Sequence, residues 1–169
     1  MNVDNKNIDV TDRLIKFSEQ TLPSLNRICG YIFIQGSPSC GLFKVKVYQK
    51  DNLPSEYSGR GIYAKAITNA MPLLPVEEAE RLTDPILREH FIARVFIYHH
   101  WQMILQQGLN TAVILDVYAS NKDRLMLHAP KTFIALGQLL KDVEKYEADE
   151  FKRKYIVVLL QALENHHKQ

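Results

Sequence analysis

The residues best suited to chemistry sit in one short run, Gly36-Ser37-Pro38-Ser39-Cys40-Gly41. It places a thiol and two hydroxyls straight after Cys29 to Gln35, an apolar stretch that reads as a buried strand because it is compact, punctuated by glycine and too short for a helix. Open α/β sheets bind ligands beyond the carboxyl ends of their strands, which is where this loop falls. Glycine on each side lets the backbone approach a bound group. Backbone N–H groups with Ser37 and Ser39 could hold an anion or polarise a substrate, and Cys40 could serve as a nucleophile or a metal ligand. The same pattern also suits a tight turn around a packed cysteine.

Other groups carry weaker signals. Cys29, at the start of the strand, reads as a packed thiol, and no Cys-x-x-Cys spacing occurs. His90, His99 and His100 lie near Tyr98 and Trp101 on one expected helix, where an interior or interface histidine is the simpler reading. Arg88 and Arg94 flank aromatics there, as Lys152, Arg153 and Lys154 flank Phe151 and Tyr155; Lys122 and Arg124 add to these cations. Basic residues among aromatics suit RNA phosphates and bases, and equally any amphipathic helix surface. Glu77, Glu78 and Glu80 read as a solvated acidic link before a helix N-terminus, and His166 and His167 as a solvated chain end.

The elements that must position these groups follow from punctuation and periodicity. Asp9 and Thr11 offer caps to a helix running towards Leu22, with Pro23 at its exit. Phe43 to Tyr48 alternates as a half-buried strand does, Asp51 to Gly61 reads as a polar connection, and Ile62 to Met71 has helical composition. Beyond Asp84-Pro85 everything reads as helix, first a long one with Ile86, Phe91, Val95, Phe96 and Ile104 as its apolar positions. A break at Gly108 to Asn110 precedes helices over Thr111 to Tyr118, Lys131 to Val143 and Tyr146 to Glu164. The expected architecture is an α/β, partial Rossmann-like unit over residues 1–80 followed by an all-α helical domain over 81–169.

Composition permits this and little that is exotic. The 169 residues are 46% hydrophobic with a net charge of +2, enough for a buried core and too weakly basic to argue for nucleic acid alone. No run approaches a membrane span, and no apolar leader is present, so the expected setting is cytoplasmic, with no membrane partner.

Several ordered motifs carry a family resemblance. Gly30-Tyr-Ile-Phe33, Ser37-Pro-Ser-Cys-Gly41, Val45-Lys-Val-Tyr48, Gly59-Arg-Gly-Ile62 and Leu74-Pro-Val-Glu-Glu78 resemble the C-terminal part of the thiouracil and 4-thiouridine desulfidase family. The second half is similar to the YbgA-like helical domain fused behind some desulfidases, through Leu87-Arg-Glu-His-Phe91, Arg94-Val-Phe96, Leu125-Met-Leu-His-Ala-Pro130 and Leu136-Gly137. The resemblance implies a 4Fe-4S cluster held by three cysteines, its fourth iron left open to take sulfur from a thiolated nucleobase, free or in tRNA. It further implies Cys40 as one cluster ligand, Ser37 as the catalytic hydroxyl, Ser39 and Gly41 as the rest of the substrate loop, and the helical domain as the part that holds RNA. The family's other two cysteines and its acidic residue have no counterpart among the 169 residues. The expectation is therefore a chain inactive alone, with a second chain supplying the missing segment. The alternative is a cluster-free RNA- or protein-binding module built on the helical domain.

Overall fold

Helix α1, Thr11–Thr21, opens the regular structure of the computed structural model, which describes residues 9–48, 54–107 and 110–164. Val10 stands at its N-cap with no side-chain cap, and the Asp9 carboxylate just before it accepts from the Thr11 N–H at 2.9 Å. Gly108, His166 and His167 lie outside the described residues. The chain divides into two units, Met1–Asp84 and Pro85–Gln169.

In the first unit, β1 (Tyr31–Phe33) pairs in parallel with β4 (Val76–Glu78), in register Tyr31 with Val76 and Phe33 with Glu78. Between them come β2 (Val45–Tyr48), β3 (Pro54–Gly59) and helix α2 (Ile62–Ala70). β2 and β3 form a separate antiparallel pair with an irregularity between Lys46 and Tyr48. The connection expected over Asp51 to Gly61 is thus a strand for its described part; its polar composition hides a pairing that β2 supplies. α2 packs on α1 and buries Tyr63, Ala64 and Ile67 with Phe33, Leu42, Val45 and Leu74. Burying seven such side chains is what orders so small a sheet, at ~1.5–3 kcal/mol for each large one.

Two parallel strands with α2 in the crossover are what stands, among the described residues, where the sequence suggested a partial Rossmann-like unit. The segment read as a solvated acidic link contains strand β4. Its glutamates are not solvated: Glu77 and Glu78 are 6% and 2% exposed. Burial of a carboxylate requires partners, and both have them, as described below.

The described second unit is entirely helical: α3 (Pro85–Gln107), α4 (Thr111–Ser120), α5 (Lys122–His128), α6 (Pro130–Lys141) and α7 (Ala148–Glu164). Asn110 caps α4, accepting from the Val113 N–H at 3.0 Å. Phe151, Tyr155 and Leu159, one turn apart on α7, pack with Trp101 of α3, Val117 of α4, Leu125 of α5 and Leu136 of α6 in a core from which water is excluded. The inward face of α3 differs from expectation. Phe91 is buried, but Ile86 and Phe96 are exposed, and Ala93, Ile97, Tyr98 and Trp101 turn inward instead. A helix apolar nearly all round leaves its periodicity unable to choose a face. No described helix is long and apolar enough to cross a membrane.

Candidate functional site

The run Ser37 to Phe43 leaves the end of β1 as a loop whose backbone N–H groups are engaged from Cys40 to Phe43. The Ser37 carbonyl accepts from Gly41 N at 2.8 Å, and Ser37 Oγ accepts from Cys40 N at 3.2 Å. The next two N–H groups, of Leu42 and Phe43, donate to one oxygen of Glu78, at 2.9 and 3.0 Å. A buried carboxylate reaching from β4 thus fixes the exit of the loop. Two charge-assisted bonds to a single oxygen offset the cost of burying that charge.

Helix α2 supports the loop from its other side. Gly61 N donates to Gly41 O at 2.8 Å, and Tyr63 N donates to Ser39 O at 2.8 Å. These are N–H groups of the first turn of α2, which would otherwise be orphaned. The approach is so close that a Cβ on Gly61 would lie 2.4 Å from the carbonyl carbon and oxygen of Ser39. Likewise a Cβ on Gly41 would meet Val45 Cγ2 at 2.4 Å and Ser37 O at 2.8 Å. Glycine at 41 and 61 is demanded by packing.

One consequence bears on chemistry. The sequence suggested the loop's backbone N–H groups as an anion cradle; those of Cys40 and Gly41 are spent within the fold, which leaves the N–H groups of Gly36, Ser37 and Ser39 beside the side chains. Ser37 Oγ lies 3.1 Å from Ser39 Oγ, which lies 3.2 Å from Cys40 Sγ, so two hydroxyls and a thiol form one hydrogen-bonded chain. All three residues are half-buried. Such a chain can hold a proton near sulfur and pass it along.

The surroundings are mixed in character. Gln35, Gly36, Pro38, Phe43, Lys44 and Lys46 line an adjoining cavity of about 450 Å³. The Arg81 guanidinium sits 5.0 Å from the centre of the Phe43 ring and its Nε donates to Glu77 at 2.8 Å. Tyr63, buried beneath the loop, has its hydroxyl pushed up to about 12, first by burial and then by its hydrogen bond with Tyr31. Burial also raises the Cys29 thiol, a half-buried group in no disulfide at the far end of β1.

The donor set answers the question of a cluster. Among the described residues no group of three or more His, Cys, Asp or Glu side chains could hold a metal ion. Cys40 is the loop's single cysteine, and one cysteine does not hold a cuboidal cluster. The residues present do not fit the group by themselves, and no reaction step is derived through it.

In the helical unit, Arg94 and His90 are buried, at 7% and 5% exposure. Arg88, Lys122, Arg124, Arg153 and Lys154 are exposed. Lys152 pairs with Asp149 at 2.9 Å, and Lys154 pairs with Glu150 at 2.8 Å while lying 4.3 Å from the centre of the Tyr146 ring. Arg124 shares an open cavity of about 770 Å³ with Phe96, His99, His100 and Asp116. The cations gather at no single site. Sequence reasoning missed Glu78 and Gly61. The signals were there in the Val-Glu-Glu run after Pro75 and the Gly-Arg-Gly turn before α2, but both depend on contacts that only folding makes.

A strand-end loop with a thiol and two hydroxyls, locked by a buried carboxylate and a helix N-terminus, is the feature around which this small α/β unit is organised. Residues 2–79 match the family model described as 2-thiouracil desulfurase, so the first unit is similar to the thiouracil desulfidase family. No curated protein and no solved structure matches the chain.

Proposed function

We propose that the first unit takes part in removing sulfur from a thiolated nucleobase, free thiouracil or 4-thiouridine in tRNA. The net exchange replaces C=S by C=O, with water as the oxygen source and hydrogen sulfide as the product. The observation that carries this reading is the Ser37–Ser39–Cys40 hydrogen-bonded chain within the family-matched unit. Ser37 donates a hydrogen bond to the polarised base, Ser39 relays a proton along the chain, and Cys40 offers a soft ligand. Gly41 keeps the loop closed around them. A reducing, cytoplasmic setting keeps that thiol available.

If the family's 4Fe-4S cluster is used, two further thiolates come from outside these residues, from a second chain, and the chain alone is inactive. Anaerobic reconstitution with iron, sulfide and an excess of a small monothiol tests this, because the monothiol can stand in for the absent ligands. Iron that co-elutes with the protein should disappear in Cys40→Ser. Equal iron in both proteins would remove Cys40 from the ligand set.

The second half supports a narrower reading as the part that holds RNA. Arg124 beside the exposed Phe96, in a cavity large enough for a nucleotide, favours it. Arg124→Glu should weaken binding of unmodified tRNA, with a shallower salt dependence, while leaving the first unit folded.

A further inference from the structure

Several opposite charges on the helical unit pair across a single turn. Lys145 holds Asp142 at 2.7 Å, Lys152 holds Asp149 at 2.9 Å and Lys154 holds Glu150 at 2.8 Å. Asp116 of α4 and Arg124 of α5 behave otherwise. They line one open cavity of about 770 Å³, yet among the described residues neither the carboxylate nor the guanidinium has an ion pair or hydrogen bond. An acid and a base left apart in one hollow are complementary to a ligand that brings both an N–H edge and an anion.

Helix α3 supplies the flat part of the wall. Phe96, 57% exposed, and the half-buried His100 line the same cavity one turn apart on α3. Aromatic rings held this way stack on unpaired bases. The volume falls within the ~300–1,000 Å³ of small-ligand sites. An amino acid also carries both charges, but on one carbon, and a small one leaves the rings without a flat partner. A nucleotide separates its base edge from its phosphate by a sugar, which suits a carboxylate and a guanidinium too far apart to pair.

The carboxylate also chooses among bases, because it accepts through two oxygens and donates nothing. Guanine alone of the common bases sets two N–H donors side by side, N1–H and the N2 amino group. Adenine and cytosine place an acceptor beside their donor, and uracil flanks its one N–H with carbonyls, so each turns lone pairs towards a carboxylate. We propose that this cavity takes a guanine nucleotide, its base against Phe96, its N1–H and N2 amino group donating to Asp116, and its phosphate on Arg124. The proposal deepens the RNA reading of the helical unit and rests on it for the source of the guanosine, a residue of an RNA strand rather than a free nucleotide.

Titrating the full chain with GMP, AMP, CMP, UMP and XMP, while following the amides of Asp116 and Arg124, tests this. GMP should bind ~10-fold or more tightly than AMP, CMP or UMP. Asp116→Asn, at an exposed site, should reverse the order of GMP and XMP, since an amide offers one acceptor and one donor and xanthine sets a carbonyl beside N1–H. Arg124→Gln should weaken all the nucleotides alike, by about fivefold. Equal binding of the nucleotides, an order unmoved by Asp116→Asn, or tyrosine bound at these amides in place of GMP would each overturn the proposal. tRNA that binds through Arg124 with no guanine preference sinks this inference and leaves the RNA reading standing. A GMP preference in a chain that binds no tRNA keeps the guanine site and removes the RNA reading.

Discussion

Removing the Glu78 carboxylate should loosen the loop by an amount that depends on what replaces it. Both of its backbone bonds end on the same oxygen, at 2.9 and 3.0 Å, and the residue is 2% exposed. Glu78→Ala leaves the Leu42 N–H unpaired in a buried place and the Phe43 N–H in a half-buried one, at about 1–3 kcal/mol each, so the loss should be about 2–6 kcal/mol. Glu78→Gln keeps an acceptor at the same position and loses only the charge assistance, which is roughly half of each bond, so about 1–2 kcal/mol is expected. Amide hydrogen exchange at Leu42 and Phe43 reads the effect locally, and urea unfolding reads it for the unit. Exchange should quicken at least ~30-fold in the alanine variant for a 2 kcal/mol loss, and much less in the glutamine variant. Identical exchange in the two variants, or no change in either, would refute the view that this carboxylate holds the loop.

Three further outcomes follow from the same geometry. Gly61→Ala should cost about 1–3 kcal/mol by thermal melting, because its Cβ would lie 2.4 Å from Ser39 backbone atoms and no flexible side chain can give way. Tyr63 ionises at about 12 when folded, against an ordinary value of 10.0, so the unfolded chain loses its proton first as pH rises. Stability from this group is fully present below pH 10 and falls between about 10 and 12, by up to ~2.7 kcal/mol, a fall that Tyr63→Phe should abolish in alkaline unfolding curves. Tyr155 is wholly buried with no hydrogen-bond partner for its hydroxyl among the described residues. Tyr155→Phe should therefore leave stability unchanged or raise it by about 1 kcal/mol, and a clear loss in a urea titration would show that the hydroxyl is in fact satisfied.

Much of the first unit was legible in the sequence because its signals are local. The apolar run before Gly36, the Ser-Pro-Ser-Cys punctuation and the Asp9 carboxylate bonded to the Thr11 N–H each act over a few residues, and β1, the loop and α1 stand where those signals put them. What escaped depends on distant partners. Glu77 and Glu78 have the composition of a solvated link, and only the backbone of Leu42 and Phe43, some 35 residues away, and the side chain of Arg81 make their burial affordable. Strand β3 was hidden for the same reason, since its pairing with β2 owes nothing to its own periodicity. On α3 the apolar residues surround the helix, so Phe96 and Ile97 could not be told apart until the neighbouring helices chose between them.

The central claim, that the Ser37–Cys40 loop recognises a sulfur-bearing base, is tested most directly by titrating the chain with 2-thiouracil and, separately, with uracil while following backbone amide resonances. The account predicts that 2-thiouracil shifts the amides of Gly36, Ser37, Ser39, Cys40 and Gly41, that uracil shifts them less, and that Cys40→Ser removes the difference. Equal responses to the two bases, or shifts confined to residues outside the loop, would contradict it.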